Sequence, residues 1–272
     1  MPSDNLELDS FSGVDASPGA HELVFALDDM AAIPAVQRLR GTATELLAPR
    51  LGHRLLDVGC GTGDVVRTLA GLVGPSGAVV GIDPSEAMLR EAIRRTGDRA
   101  VPIEFRRGDA TALDLDDESF DRARCERVFQ HLDSPEAAMA ELVRVTKPGG
   151  RIVVIDTDWG MHAIHGADSH LTRLVVECWS DNAANGWSGR QLPSLFARAG
   201  VREPVVVAET FISTDNQRPT LPPITLMATV AERAGALGAD EARAWLSQLA
   251  EAGHRGEFFW AATMFAAAGQ RS

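Results

Sequence analysis

The sequence predicts an α/β fold: a doubly wound sheet of seven strands, mostly parallel, with one antiparallel strand at an edge and a helical cap. Three observations predict it. From Leu55 to Asp156, short apolar runs alternate with longer segments of helical periodicity, which is the signature of a parallel sheet covered on both faces. A glycine-rich turn follows the first run, where a parallel strand opens onto a ligand edge. The last third breaks the alternation, with a helical segment between two strand-like runs, and so leaves them antiparallel neighbours.

The elements follow in order. Residues 1–18 are polar and read as a loosely held tail. From His21 to Leu51 the pattern is helical, broken at Pro34, with an apolar face through Leu39, Ala43, Leu46 and Leu47. Residues 1–50 are thus expected to be tail and helical cap, and 51–272 the core. Leu55–Val58 is the first strand and Asp64–Leu72 the helix after it; Ala78–Ile82 is the second strand. The next helix starts at Ser85, a suitable N-cap one turn before Met88. Ile103–Arg106 and Ser119–Cys125 are the third and fourth strands, and Pro135–Thr146 is a helix. The turn Lys147-Pro148-Gly149-Gly150 leads to a fifth strand, Arg151–Asp156. A helical stretch covers about Leu171–Ala199, and Val205–Phe211 and Phe258–Ala267 are the last strands. Between them Pro219–Pro223 opens a second helical region to about Glu251, giving a lid insertion at about 214–256.

Composition narrows the function. The 272 residues carry 26 Lys and Arg against 38 Asp and Glu, a net charge of −12, which opposes binding to a phosphate backbone. No apolar run is long enough for a membrane span, and the N-terminus lacks a secretory pattern, so a cytoplasmic location is expected. Cys60, Cys125 and Cys178 lie far apart and form neither a disulfide framework nor a zinc pattern. There is no tyrosine, which removes every mechanism that needs a tyrosine acid or base.

The densest signal is Leu55-Leu56-Asp57-Val58-Gly59-Cys60-Gly61-Thr62-Gly63. A dinucleotide fingerprint would put its third glycine at position 64, but that residue is Asp64, whose charge would repel a pyrophosphate at the helix end. Asp83, at the end of the second strand, is placed to accept from two ribose hydroxyls; alone it would read as a helix cap. Adenosine without phosphates is the implied shape.

Here the chain resembles the class I S-adenosylmethionine-dependent methyltransferases, whose fold is Rossmann-like, and within them the small-molecule enzymes of quinone and secondary-metabolite pathways. The motifs that carry the resemblance run in register from Asp57–Gly63 through Asp83 and Arg107-Gly108-Asp109-Ala110 to Ser119-Phe120-Asp121 and Lys147–Arg151. It implies S-adenosylmethionine as cofactor, a small-molecule acceptor, and cofactor contacts at Gly59, Gly61, Gly63, Asp83, Met88, Asp109, Ala110 and Glu126. Asp83 would take the ribose, Met88 would pack near adenine, and Asp109 with the Ala110 N–H would read its edge.

Methyl transfer to a hydroxyl needs positioning and a route for the proton. His131, just past the fourth strand, is the candidate base; its other reading is a residue that holds the loop. Resemblance to sugar O-methyltransferases implies Asp158 as its orienting carboxylate, with Asp156 the competing choice. The His and Asp residues of 156–170 do not match the metal-dependent relatives, so no metal is expected. Trp159, Trp187, Phe129 and Trp260 are candidates for an apolar acceptor wall. The expected reaction is methylation of a lipophilic metabolite, O-methylation ahead of C-methylation. A methyltransferase fold used as a scaffold or for a cyclisation is the competing reading. The sequence leaves the oligomeric state open.

Overall fold

The computed structural model describes residues 20–97, 102–215 and 224–272. The expected tail at 1–18 and the helix opener at Pro219–Pro223 lie outside the described residues. Seven strands form one sheet: β1 (Arg54–Val58), β2 (Ala78–Asp83), β3 (Ile103–Arg107), β4 (Phe120–Glu126), β5 (Thr146–His165), β6 (Arg202–Ser213) and β7 (Phe259–Gln270). Their order is β3-β2-β1-β4-β5-β7-β6. The first five strands are mutually parallel, and β7 lies antiparallel between β5 and the outer strand β6. The helices are α1 (Ala20–Ala32), α2 (Pro34–Leu47), α3 (Asp64–Val73), α4 (Glu86–Thr96), α5 (Pro135–Val145), α6 (Ser169–Asp181), α7 (Ser188–Arg198), α8 (Ile224–Arg233) and α9 (Ala239–His254).

Strand periodicity divides the core. Leu55, Val79, Val153 and Ile155 face one layer, with α2, α3, α6, α8 and α9. Leu56, Val80, Ile152 and Val154 face the other, with α5 and α7. A strand covered on both sides has no solvent face, so after the exposed Arg54 β1 reads as an apolar run interrupted only by Asp57. Pro34 occupies the first turn of α2, where its missing N–H costs nothing, and Ser85 Oγ accepts from Met88 N at 3.2 Å to cap α4.

Three features differ from the expectation. β5 starts at Thr146, so the expected turn Lys147–Gly150 is an irregularity inside the strand, opposite Asp121. The segment after Asp156, read as a loop, stays extended as β5: Asp158 pairs with Thr263, and Ala163 with Ala261. Trp159–His162 form the bulge between them, because more residues lie on β5 than on β7 across that interval. The helical stretch 171–199 is two helices, α6 and α7, broken at 182–187. Gly186 allows the break: a Cβ there would collide with the Ser180 carbonyl that ends the last turn of α6.

The segment between the last two strands carries α8 and α9, which pack on α6. Trp245 of α9 is fully buried and donates from Nε1 to Thr172 Oγ1 at 2.9 Å. At the other side, Arg95 of α4 grips the Asp28 carboxylate of α1 at 2.7 and 2.8 Å and holds that helix over the carboxyl edge.

Trp245→Phe removes the donor together with part of the buried ring and is expected to cost about 1–3 kcal/mol. Trp245→Ala opens a larger cavity and is expected to cost about 3–5 kcal/mol. Urea denaturation of both variants checks that order.

Candidate functional site

The turn after β1 is built on glycines because the backbone must reverse while staying open to a ligand. Gly59 has φ +74, and a Cβ there would collide with Val128 on the neighbouring turn. Gly59 and Cys60 both donate their N–H to the Ile82 carbonyl, at 2.7 and 2.9 Å, which locks the turn onto β2. Asp83 then works in two directions. Its Oδ2 accepts from Gly61 N at 2.8 Å and its Oδ1 from Ser85 N at 3.0 Å, so one carboxylate joins the glycine turn to the start of α4.

These groups open onto a cavity of about 330 Å³ at the carboxyl edge of the sheet. Gly59, Gly61, Asp83 and Met88 line one side; Asp109, Ala110, Glu126 and His131 line the rest, with Leu27 of α1 above them. Gly63 does not line it. It starts α3 at φ +75, where a Cβ would stand 2.8 Å from Phe105 Cζ and 3.1 Å from Ala92 Cβ, so its place is packing against β3 and α4. Asp109 is shaped as a turn, with Oδ1 accepting from Thr111 N at 2.8 Å and Thr111 Oγ1 at 2.7 Å.

Beyond Gly59 a second, smaller cavity of about 50 Å³ is lined by charge. Glu126 is not free. Arg40 of α2 holds both its oxygens at 2.9 and 3.0 Å, and Arg124 donates to Oε2 at 2.5 Å. Burial alone would raise the Glu126 carboxyl, but Arg40, Arg124 and Arg127 draw it down to about 2. Asp57, opposite Arg124 in the β1–β4 register and 3.2 Å from its Nη1, is pushed by burial up to about 6. Three guanidiniums thus surround two carboxylates. Arg127 lines both cavities, sits at φ +55, and its buried Nε makes no hydrogen bond, lying 3.6 Å from Glu126 Oε1. A surplus cation with an orphaned donor fits a molecule that brings a carboxylate to this end and an adenosine to the Asp83 end.

His131 ends a short 3₁₀ turn, Phe129–His131, after β4. Gln130 Nε2 donates to His131 Nε2 at 2.9 Å, while Gln130 Oε1 has no partner. Burial, with the charge of Arg127, lowers the imidazole to about 4, so it is neutral at physiological pH. The structure gives Asp158 to Arg190 of α7 rather than to His131: Arg190 Nη2 donates to Oδ1 at 2.7 Å, and Nε binds Oδ2. Asp156 is the carboxylate that reaches the turn. It accepts from Gln130 N at 3.0 Å and Thr157 N at 2.8 Å, and burial pushes it up to about 7.

Among the aromatic candidates, Trp159 meets Trp179 edge-on at 5.9 Å, Trp260 is buried on β7, and Phe129 is core. Trp187 is half-exposed under Arg190, 4.5 Å from its guanidinium. Sequence reasoning missed Arg40, Arg124, Arg127 and Arg190. A signal existed for part of this: Arg122, Arg124 and Glu126 alternate along β4, which gives an otherwise buried strand one charged face. No cluster of metal-ligating side chains occurs among the described residues, and no helix among them is long and apolar enough to cross a membrane.

Residues 56–154 match a family model described as a methyltransferase domain. A 37.1 kDa uncharacterized protein in transposon TN4556 of Streptomyces fradiae is 37% identical over 248 residues, covering 90% of this chain and 70% of that one. The ubiquinone/menaquinone biosynthesis C-methyltransferase UbiE of Ectopseudomonas mendocina is 37% identical over 114 residues, covering 41% of this chain and 44% of UbiE. The chain therefore spans under half the length of that relative. Among solved structures, the YcgJ protein of Bacillus subtilis aligns with a TM-score of 0.58 at 19% identity, covering 87% of this chain and 99% of that one.

Asp83→Asn keeps the size of the side chain but replaces one acceptor oxygen by a donor facing Gly61 N–H or Ser85 N–H. It is expected to weaken S-adenosylhomocysteine binding about 10- to 100-fold, the scale of a charge-assisted hydrogen bond. Gly63→Ala is expected to lower stability first, with affinity falling only as the turn loosens. Calorimetric titration beside a thermal melt distinguishes the two.

Proposed function

The chain belongs to the class I S-adenosylmethionine-dependent methyltransferases, and we propose that it methylates a small, uncharged, lipophilic acceptor, at oxygen in preference to carbon. One observation carries this reading: a neutral, half-buried imidazole, His131, shares a cavity with the groups suited to adenosine, Asp83, Met88 and Asp109. When bound, the cofactor supplies an electrophilic methyl carbon on a positively charged sulfur.

The chain's own residues do the rest. Asp83 has acceptor capacity for ribose hydroxyls while it anchors the glycine turn. Asp109 and the Ala110 N–H face the adenine end. Arg127 binds the carboxylate of the amino-acid end, with Arg40 and Arg124 fixed beside it by Glu126. His131 orients the acceptor hydroxyl and takes its proton as the oxygen becomes bonded to carbon. A base with a pKa near 4 takes the proton only as the transfer proceeds, so most of the rate enhancement rests on positioning. Leu27 of α1 covers this edge and helps exclude water, while α8 and α9 pack on α6 and line no part of the cavity. The acidic surface, at −12, and the predominantly apolar cavity favour an uncharged metabolite over a polyanion.

The test is S-adenosylmethionine carrying a labelled methyl group, incubated with the protein and a lysate of its source. Label is expected in the organic-soluble fraction; label confined to macromolecules overturns the small-molecule reading. His131→Ala is expected to lower kcat about 100-fold or more while the Kd for S-adenosylhomocysteine stays within about twofold. Equal losses in both would remove His131 from the proton transfer.

The pH dependence has a definite sign. The folded pKa of His131, about 4, lies below its ordinary value, so the unfolded chain binds more protons between about pH 4 and 6.5. His131 therefore adds stability above that window, and the contribution is lost as pH falls through it. The acid limb of kcat/KM is correspondingly expected to show no His131 break near 6.5. Measuring rate and urea midpoint from pH 4.5 to 8 in wild type and His131→Asn checks both.

A further inference from the structure

Four buried polar atoms without partners lie together in one place outside the cofactor cavity. They are both ring nitrogens of His162 and the indole Nε1 atoms of Trp179 and Trp260. His162 belongs to the bulge of β5, Trp179 to α6 and Trp260 to β7. The rings make one aromatic cluster, here called the bay: His162 stacks on Trp159 at 5.7 Å with 6° between the planes, Trp260 lies 5.6 Å from His162, and Trp179 meets Trp159 edge-on. Buried polar groups in folded chains are almost always paired, so four orphans around one set of flat rings mark a place that a ligand completes.

The bay adjoins the site already described. Trp159 N donates to the Gly186 carbonyl at 2.9 Å. Asn185 N donates to the Gln130 carbonyl at 3.1 Å, and its Nδ2 to the Phe129 carbonyl at 3.3 Å. A single short segment, 185–186, therefore carries both the bay's Trp159 wall and the turn that holds His131. Gln130, on that turn, lines the cavity and its Oε1 is also without a hydrogen bond.

The chemistry of the bay selects its occupant. Each indole supplies one donor, and an uncharged imidazole supplies one donor and one acceptor. Burial alone lowers His162 to about 4, with no charged neighbour contributing, so the bay is electrically neutral. Three donors and one acceptor set among aromatic faces fit a flat, uncharged molecule that carries a carbonyl and a hydroxyl oxygen.

We propose that this bay is the recognition subsite for the methyl acceptor, that it takes a planar aromatic hydroxy-ketone, and that His162, Trp179 and Trp260 set specificity by binding its oxygens. This rests on the methyltransferase reading of the adjoining site. His162 and the two tryptophans hold the acceptor and take no part in the proton transfer.

The test uses the full chain saturated with S-adenosylhomocysteine and two probes of similar shape, 2-acetyl-1-naphthol and 2-ethylnaphthalene, in equilibrium dialysis. The wild type is expected to prefer the oxygenated probe at least tenfold beyond the preference of His162→Phe or Trp179→Phe, with cofactor-product affinity within twofold throughout. His162→Gln, which keeps a donor and an acceptor, is expected to retain most of the preference. Since His162→Phe removes two orphaned atoms, its melting temperature is expected to match or exceed that of the wild type, which excludes misfolding as the cause. Equal preference in wild type and both Phe variants overturns the proposal and leaves the orphans to ordered water.

The two readings fail separately. Loss of the preference in the variants, with no labelled methyl reaching any small molecule, retires the methylation reading and keeps the bay. Label transfer to extracted metabolites at wild-type KM by both Phe variants retires the bay and keeps methylation.

Discussion

The ion cluster beneath the glycine turn is the constraint on which the rest of this molecule depends. Arg124 sits in the middle of the sheet, with Asp57 beside it on β1 and Glu126 two residues along its own strand. Arg40 then reaches from α2 to the same Glu126. Taking these charges from water is costly, and only mutual pairing offsets that cost. The cluster therefore tolerates a single arrangement of α2, β1 and β4, and that arrangement sets where the turn from Gly59 to Gly63 begins. Loss of Arg124 would leave the buried Asp57 without its ion-pair partner and take one of three guanidiniums from Glu126, a disruption on the order of 3–5 kcal/mol. A purely apolar contact would permit sliding between neighbouring registers; this one does not.

The cleft and the bay follow from how β5 is used. Its first half is an ordinary buried parallel strand, and its second half leaves the parallel layer and runs on against β7 alone. Asp156 stands at the junction. Its bonds to Gln130 N and Thr157 N tie the end of the common sheet to the turn carrying His131. Asp158, two residues on, faces α7 and is neutralised by Arg190. Neighbouring carboxylates on one strand therefore take different duties because the helix and the turn approach them from different directions.

Much of this was legible beforehand. Asp83 was readable from its place at the end of the second strand, although its bond to Gly61 N spans 22 residues. Strand alternation and the glycine turn were readable because they are local, each depending on residues within a few positions. Ser85 as a cap belongs to the same class. The extension of β5 was not legible, because Trp159-Gly160-Met161-His162 has a loop's composition and becomes strand only through β7, about a hundred residues away in the chain. Likewise the pairing of Glu126 with Arg40, and of Asp158 with Arg190, joins residues whose proximity is a product of the tertiary fold. Spacing could nominate a carboxylate for His131, but it could not show that an arginine from a later helix would claim it first.

The placement of β7 has a consequence for how the chain assembles. β6 precedes β7 in the sequence yet touches the sheet only through it. During synthesis β6 emerges before the partner that will seat it, with α8 and α9 still to follow. In that interval the run Val205-Val206-Val207 is an unpaired edge, the kind of segment that recruits other chains. Arg202, Glu203 and Pro204 stand directly before it, two charges and a residue that cannot donate to a ladder. The start of β6 thus has the composition of a guard, protecting a strand through the stage when its permanent neighbour does not yet exist.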